Sequence, residues 1–351
     1  MRVSKGILSA LAAAVLFGAS TPIAKTLVGQ IPPVLLAGLL YAGSGLGLAV
    51  GLLFRRLRSG GASARINWPH GTEIGWLAGA IVFGGILGPV LLLLGLMSTP
   101  ASISALLLNL EAVFTALLAW FVFQENFDRR IAAGMGLIVV GGLVLSWSPG
   151  SLAWAPGALL VAAACLCWAV DNNLTRKVSA SDAMALACVK GLIAGAVNVV
   201  LAVLMGAALP RPSVAAAAAI VGLAGYGISL VLFVLALRDL GAARAGAYFS
   251  VAPVFGAALA VAVQHEPLSA ALIVAAALMA AGVWLHLSEV HEHAHQHEFL
   301  EHSHSHVHDK HHRHFHDSGR DGLEPHTHRH VHRPMRHAHP HYPDIHHQHE
   351  H

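Results

Sequence analysis

Charge is scarce in this chain. Only 11% of its 351 residues are Asp, Glu, Lys or Arg, against 56% that are hydrophobic. A soluble domain carries about 25% charged residues, so this chain cannot cover itself with polar surface. The formal net charge is only +3, and nucleic acid is therefore not an expected partner. Cysteine is scarce too. Cys165, Cys167 and Cys188 all lie in apolar runs and suggest neither a disulfide framework nor a zinc ribbon. Cys165 and Cys167 are two apart, point to different faces of a helix, and read as core residues. There is no Gly-rich phosphate loop, Ser-His-Asp set or zinc-hydrolase motif, so no enzyme chemistry is expected.

What the chain does have is long apolar runs, with a mean hydropathy of +0.63. About ten windows are long enough to cross the hydrocarbon layer as helices. In the first half they are Gly6–Leu27, Pro33–Phe54, Ile74–Met97, Ala101–Phe123 and Arg130–Trp147. In the second half they are Pro156–Leu174, Ala183–Gly206, Val214–Leu237, Ala242–Val263 and Leu268–Leu287. The expected fold is an all-α integral membrane body followed by a disordered tail. The lipid bilayer is its first partner, and the sequence is silent on oligomeric state.

Basic residues orient the spans. Arg2 and Lys5 precede the first, Arg55, Arg56, Arg58 and Arg65 follow the second, and Arg129 and Arg130 follow the fourth. Arg176 and Lys177 follow the sixth, and Arg238 and Arg244 flank the turn from the eighth to the ninth. All fall on one side if the N-terminus is cytoplasmic, with Arg211 the main exception. An even number of spans then places the C-terminus in the cytoplasm of a plasma (bacterial inner) membrane protein. The first span carries Pro22 and Lys25 and reads as retained rather than as a cleaved signal.

The two halves repeat. LEAVFTALLAWFVFQEN, Leu110 to Asn126, matches VAPVFGAALAVAVQHEP, Val251 to Pro267. Val113-Phe114 answers Val254-Phe255, Glu125 answers Glu266, and Gly141 answers Gly282 at the same offset. VLFGASTPIAK, Val15 to Lys25, loosely answers LCWAVDNNLTR, Leu166 to Arg176. An odd number of spans per unit makes the copies run in opposite directions, and inverted repeats with a site between them are a transporter architecture. The expected units are 4–147 and 156–287, with a linker at 148–155 and a tail at 288–351.

On these residues the chain resembles the drug/metabolite transporter superfamily, specifically its two-EamA-domain members. The resemblance rests on Phe17-Gly18 and Trp168-Ala169 in the first helix of each half. It rests also on the small-residue fourth and ninth spans that end in Glu125 and Glu266. It implies ten helices, alternating access, and a central cavity lined mainly by the first, third and fourth helices of each half. It implies little about the cargo. One departure is that Pro253 occupies a common family position whose counterpart in the fourth span is Ala112, preceded by Glu111.

A charge at bilayer depth costs at least about 2.5–3.5 kcal/mol. Glu111 lies near the middle of its span with no basic neighbour in sequence. It is a candidate proton carrier or substrate counter-charge, or else a neutral group bonding helices together. Asp171, Asn172 and Asn173 lie about one turn inside the sixth span, and Lys190 about two turns into the seventh. Asp171 and Lys190 are expected at adjacent depths, either as a buried pair or as a gate. Asn109, Asn198, Tyr226 and Ser250 are further candidate contacts. Glycines at four-residue spacing, Gly43, Gly47 and Gly51, Gly75 and Gly79, Gly84 and Gly88, and Gly191 and Gly195, read as close-packing positions.

The tail is compositionally separate, with most of the chain's 26 histidines. It has no apolar face around which to fold. His291, His293, His295 and His297 form one group; His302, His304, His306 and His308 a second. His311, His312, His314 and His316 follow, then His326, His328, His330 and His332. Interruptions and Pro-containing spacers set it apart from a purification tag. In an extended chain alternate residues share a face. Rows of imidazoles on one face suit Ni²⁺, Co²⁺ or Zn²⁺. Two readings stay open for the cargo of a small-solute transporter: a metal that the tail gathers, or an organic metabolite with the tail as metal or pH sensor. A membrane-anchored metal buffer is the third reading.

Overall fold

The computed structural model describes residues 5–58, 68–123, 129–146, 156–178, 181–240, 248–287, 292–297, 300–306, 326–332 and 335–340. Among these, seven helices are long and apolar enough to cross a membrane and three are shorter apolar ones. The first repeat has α1 (Lys5–Val28), α2 (Pro33–Arg58), α3 (Glu73–Ser98), α4 (Ala101–Leu107 then Leu110–Phe123) and α5 (Arg129–Ser146). The second has α6 (Pro156–Lys177), α7 (Ala183–Leu204), α8 (Pro212–Gly222 through Ser229–Leu240), α9 (Ala252–Gln264) and α10 (Ala270–Leu287). The all-α membrane body expected from the sequence is thus present.

The helices pack reciprocally. The first helix of each repeat lies against the third and fourth of the other: α1 on α8 and α9, and α6 on α3 and α4. Second helices pair as α2 with α7, and fifth helices as α5 with α10. Large apolar side chains such as Leu46, Val50, Leu57, Ile220 and Trp284 are left exposed on the outside, as a bilayer requires.

Two departures from regular helix recur in both repeats. Ile81–Leu87 of α3 and Leu223–Ile228 of α8 are π-helical. Gly84 and Gly225 within them stand at the same offset as Val113 and Val254. Likewise, α4 breaks at Leu108 and Asn109, and the helical residues 248–249 are separated from α9 by a turn at Ser250 and Val251. The span Ala101–Phe123 read from the sequence is present, in two helical pieces. Discontinuous helices at matching places in inverted repeats mark the region of a transport site.

The glycine reading holds at the centre of the bundle and fails at its edge. A Cβ on Gly191 would stand 2.6 Å from the Gly45 amide nitrogen, so α2 and α7 cross backbone to backbone. Gly75, by contrast, has nothing within 4 Å; its spacing with Gly79 does not reflect packing.

The tail, expected without ordered structure, has strand geometry in four short segments. β1 (Glu292–His297) pairs antiparallel with β4 (Met335–Pro340), and β2 (Leu300–His306) with β3 (His326–His332). The alternating His pattern has the two-residue period of a strand.

Candidate functional site

Several of the polar residues singled out from the sequence, Glu111, Asp171, Asn172, Lys190 and Asn198 among them, converge where α3, α4, α6 and α7 meet. One turn of α6 supplies three of them, one turned to α7 and two to α4. Asp171 faces α7 and forms a buried ion pair with Lys190. Thr175, one turn on, donates to the other Asp171 oxygen at 2.9 Å. Asn172 faces α4: its Nδ2 donates to Glu111 Oε1 at 2.7 Å and reaches Thr115 Oγ1 at 3.4 Å. Asn173 Nδ2 donates to the Ala169 carbonyl at 2.9 Å and to the Thr115 carbonyl at 3.3 Å. The expected Asp171–Lys190 pairing is therefore formed. Glu111 sits in the first turn after the α4 break, and its partner is an amide, not a cation.

The π turn of α3 forms the floor of this cluster. A π turn frees main-chain carbonyls from the usual ladder, and here side chains take them up. The Gly84 carbonyl accepts from Tyr41 Oη at 2.6 Å and Trp168 Nε1 at 3.0 Å. The Gly85 carbonyl accepts from Asn198 Nδ2 at 3.1 Å. Gly84 also lies directly under the Asp171 carboxylate, where a Cβ would collide with it. The absent side chain lets Asp171 approach α3 as it pairs with Lys190. Sequence reasoning missed Tyr41, Trp168 and Thr115. The Trp168–Phe17 correspondence between the repeats was a signal for one of them.

Aromatic rings fill the space between the two first helices. Phe17 packs against Trp168, Tyr226 and Phe249, with ring centroids 6.1, 6.0 and 5.4 Å apart. Tyr226 also stacks on Tyr41 at 5.4 Å. The candidate Tyr226 thus belongs to an aromatic cluster beside the charges. Asn109 is buried at the α4 break; its Nδ2 donates to the Leu106 carbonyl at 3.2 Å, and its Oδ1 has no partner among the described residues. Ser250 lies at the corresponding break before α9. The cluster therefore contains one cation, two carboxylates, amides and aromatic faces. Among the residues whose side chains are described, no group of three or more His, Cys, Asp or Glu is placed to hold a metal ion.

In the tail, the strand register sets histidine opposite histidine. His302 faces His330, His304 faces His328, and His306 faces His326. His293 faces His339 and His295 faces His337; His337 and His339 were missed in the sequence grouping. His297 and His332 are opposite Met335 and Leu300. His291, His308, His311, His312, His314 and His316 lie outside the described residues, as does Glu125.

Two inverted five-helix units, broken at matching places around a polar cluster, define a membrane transporter. The chain belongs to the EamA-like transporter family, which matches it twice, at residues 4–147 and 155–288. It is 27% identical over 301 residues to an uncharacterized transporter of Methanothermobacter thermautotrophicus, covering 81% of this chain and 87% of that protein. A shorter stretch of 81 residues is 35% identical to a probable amino-acid metabolite efflux pump of Salmonella typhimurium, covering 22% of this chain and 27% of the pump. A solved crystal structure matches with a TM-score of 0.62 at 20% identity, covering 81% of this chain and 99% of its own. That likeness shows the fold alone.

Proposed function

We propose that the body carries a small organic solute with both an amino and a carboxylate group, and that the tail is a metal-responsive appendage. The observation that carries the cargo reading is the side-by-side placement of Asp171–Lys190 and Glu111–Asn172. A carboxylate on the solute competes with Asp171 for Lys190. An amino group on the solute takes the place of Asn172 at Glu111. The second exchange keeps Glu111 paired; the first leaves Asp171 with only the Thr175 hydroxyl, a cost that the incoming carboxylate's own pairing with Lys190 must offset. The partial likeness to an amino-acid efflux pump supports the same solute class. The positive-inside distribution supports cytoplasmic termini and hence a cytoplasmic tail.

Glu111 is the group we assign to coupling. Glu111→Gln keeps the shape and one acceptor oxygen for Asn172. It should bind solute more weakly but still exchange it across proteoliposomes at high solute concentration, while losing accumulation driven by an imposed pH gradient. Wild-type accumulation in the Gln variant removes Glu111 from the mechanism. The same vesicles, offered amino acids in one arm and Ni²⁺, Co²⁺ or Zn²⁺ in the other, test the cargo. Uptake of the metal alone overturns the organic reading.

The tail is expected to bind Ni²⁺ or Zn²⁺ through opposed histidines. Directly opposite residues of an antiparallel pair are about 4.5–5.5 Å apart at Cα, so two imidazoles on one rung can share an ion. A metal ligand must be neutral imidazole. Binding is therefore expected above a pH of about 6.5 and lost as protons compete below it. Full-length protein in detergent should bind more than one ion, and protein truncated after Leu287 none at comparable affinity. Equal metal content in the two would end the metal reading of the tail. The truncated protein should still insert, because the membrane helices end at Leu287.

A further inference from the structure

The bundle end that carries Lys25 is tied together by three side chains that the polar cluster does not use. Lys25, in the last turn of α1, donates to the carbonyls of Leu96 and Thr99, the second at 3.0 Å. Glu266, two residues beyond α9, accepts from the amides of Ala101 and Ser102 at 2.7 and 2.9 Å, one carboxylate oxygen to each. Gln264, the last residue of α9, donates to the Pro22 carbonyl. The α3–α4 corner is thus gripped from two sides. A cation meets the carbonyl end of α3, and a carboxylate meets the amide end of α4, each of the sign that helix end favours.

The grip spans the repeats. The corner belongs to the first, and Glu266 to the second. His265 takes the left-handed conformation, with φ 54°, and so reverses the chain after α9. A non-glycine residue rarely does so; here the reversal returns Glu266 to the α4 amides. Lys25 and Glu266 are only partly buried, whereas Thr99 and Ser102 beside them are 4% and 2% exposed. Water can therefore replace each latch bond on release, and helix-end groups accept water in place of a cap. A fully buried pair would not open so readily.

We propose that Lys25 and Glu266 are gating residues. They form a latch that holds this end of the transporter closed in the present conformation, and transport requires its release. The proposal rests on the transporter class and on no particular cargo. Its members act at main-chain groups, so they position helix ends and do not contact the solute at the polar cluster.

A cysteine probe tests it in the full-length protein in detergent micelles. Ser104 lies less than one turn inside Ser102, is fully buried, and its Oγ has no partner among the described residues. Ser104→Cys therefore breaks no bond. With the latch intact, a polar maleimide should label it slowly. Adding Glu266→Gln, or separately Lys25→Met, should speed labelling roughly tenfold, the effect of losing one charge-assisted hydrogen bond on an opening equilibrium. Labelling is compared with protein lacking the Ser104 substitution, which accounts for the native cysteines. The melting temperature and the transport KM and kcat are read on the same variants. The latch predicts a changed kcat with KM nearly constant. Unchanged labelling in either well-folded variant overturns the proposal. A lowered melting temperature with unchanged labelling identifies a cap that only stabilises the helix, and it overturns the proposal equally.

Discussion

Lys190→Met is expected to abolish transport and to destabilise the body by about 3–5 kcal/mol, the usual cost of leaving one member of a buried ion pair alone. Among the described residues Asp171 has no second cation as a partner; Thr175 supplies only a hydroxyl. Removing both charges should behave differently. The double variant Lys190→Met with Asp171→Leu should recover most of the stability, because an apolar pair of similar volume is often neutral or better than a buried ion pair. It should not recover transport. Thermal unfolding in detergent and exchange in proteoliposomes separate the two effects. A double variant that still transports would show that the pair merely fastens α6 to α7.

The second large effect is expected at Gly191. A valine there must displace the α2 backbone at Gly45, since its Cβ would stand 2.6 Å from the Gly45 nitrogen. Overpacking a tight contact costs about 1–3 kcal/mol, occasionally more, and backbone yields less readily than a side chain. Gly75→Ala is the matched control. It meets nothing within 4 Å and should gain up to about 1 kcal/mol from helix propensity. Melting temperatures that move the other way would show that α2 and α7 do not cross at these glycines.

The ten helices, the inverted repeat and the Asp171–Lys190 pairing were legible because each depends on a simple period. Apolar runs give the spans, the odd span number gives the inversion, and equal depth on neighbouring helices gives the pair. Glu111 was legible as a costly charge, but its partner was not. Asn172 is remote in sequence, and only the packing of α6 across α4 brings the two together. The first π turn had a sequence mark in Pro89 just beyond it, whose missing N–H leaves carbonyls of the preceding turn free, but it was not read; the second has no such proline, and the carbonyl of Gly84 was missed as a hub for Tyr41 and Trp168. Glu266 was visible only as a repeat position. Its task depends on the reversal at His265, which spacing does not report.

The paired π turns also carry the repeat into the main chain. Gly84 and Gly225 stand at the same offset as the repeated side chains, in units that run in opposite directions. Tyr41 and Trp168 are gathered on the Gly84 turn, while Tyr226 is itself part of the later one. The two halves thus share a backbone irregularity while differing in the side chains that attend it.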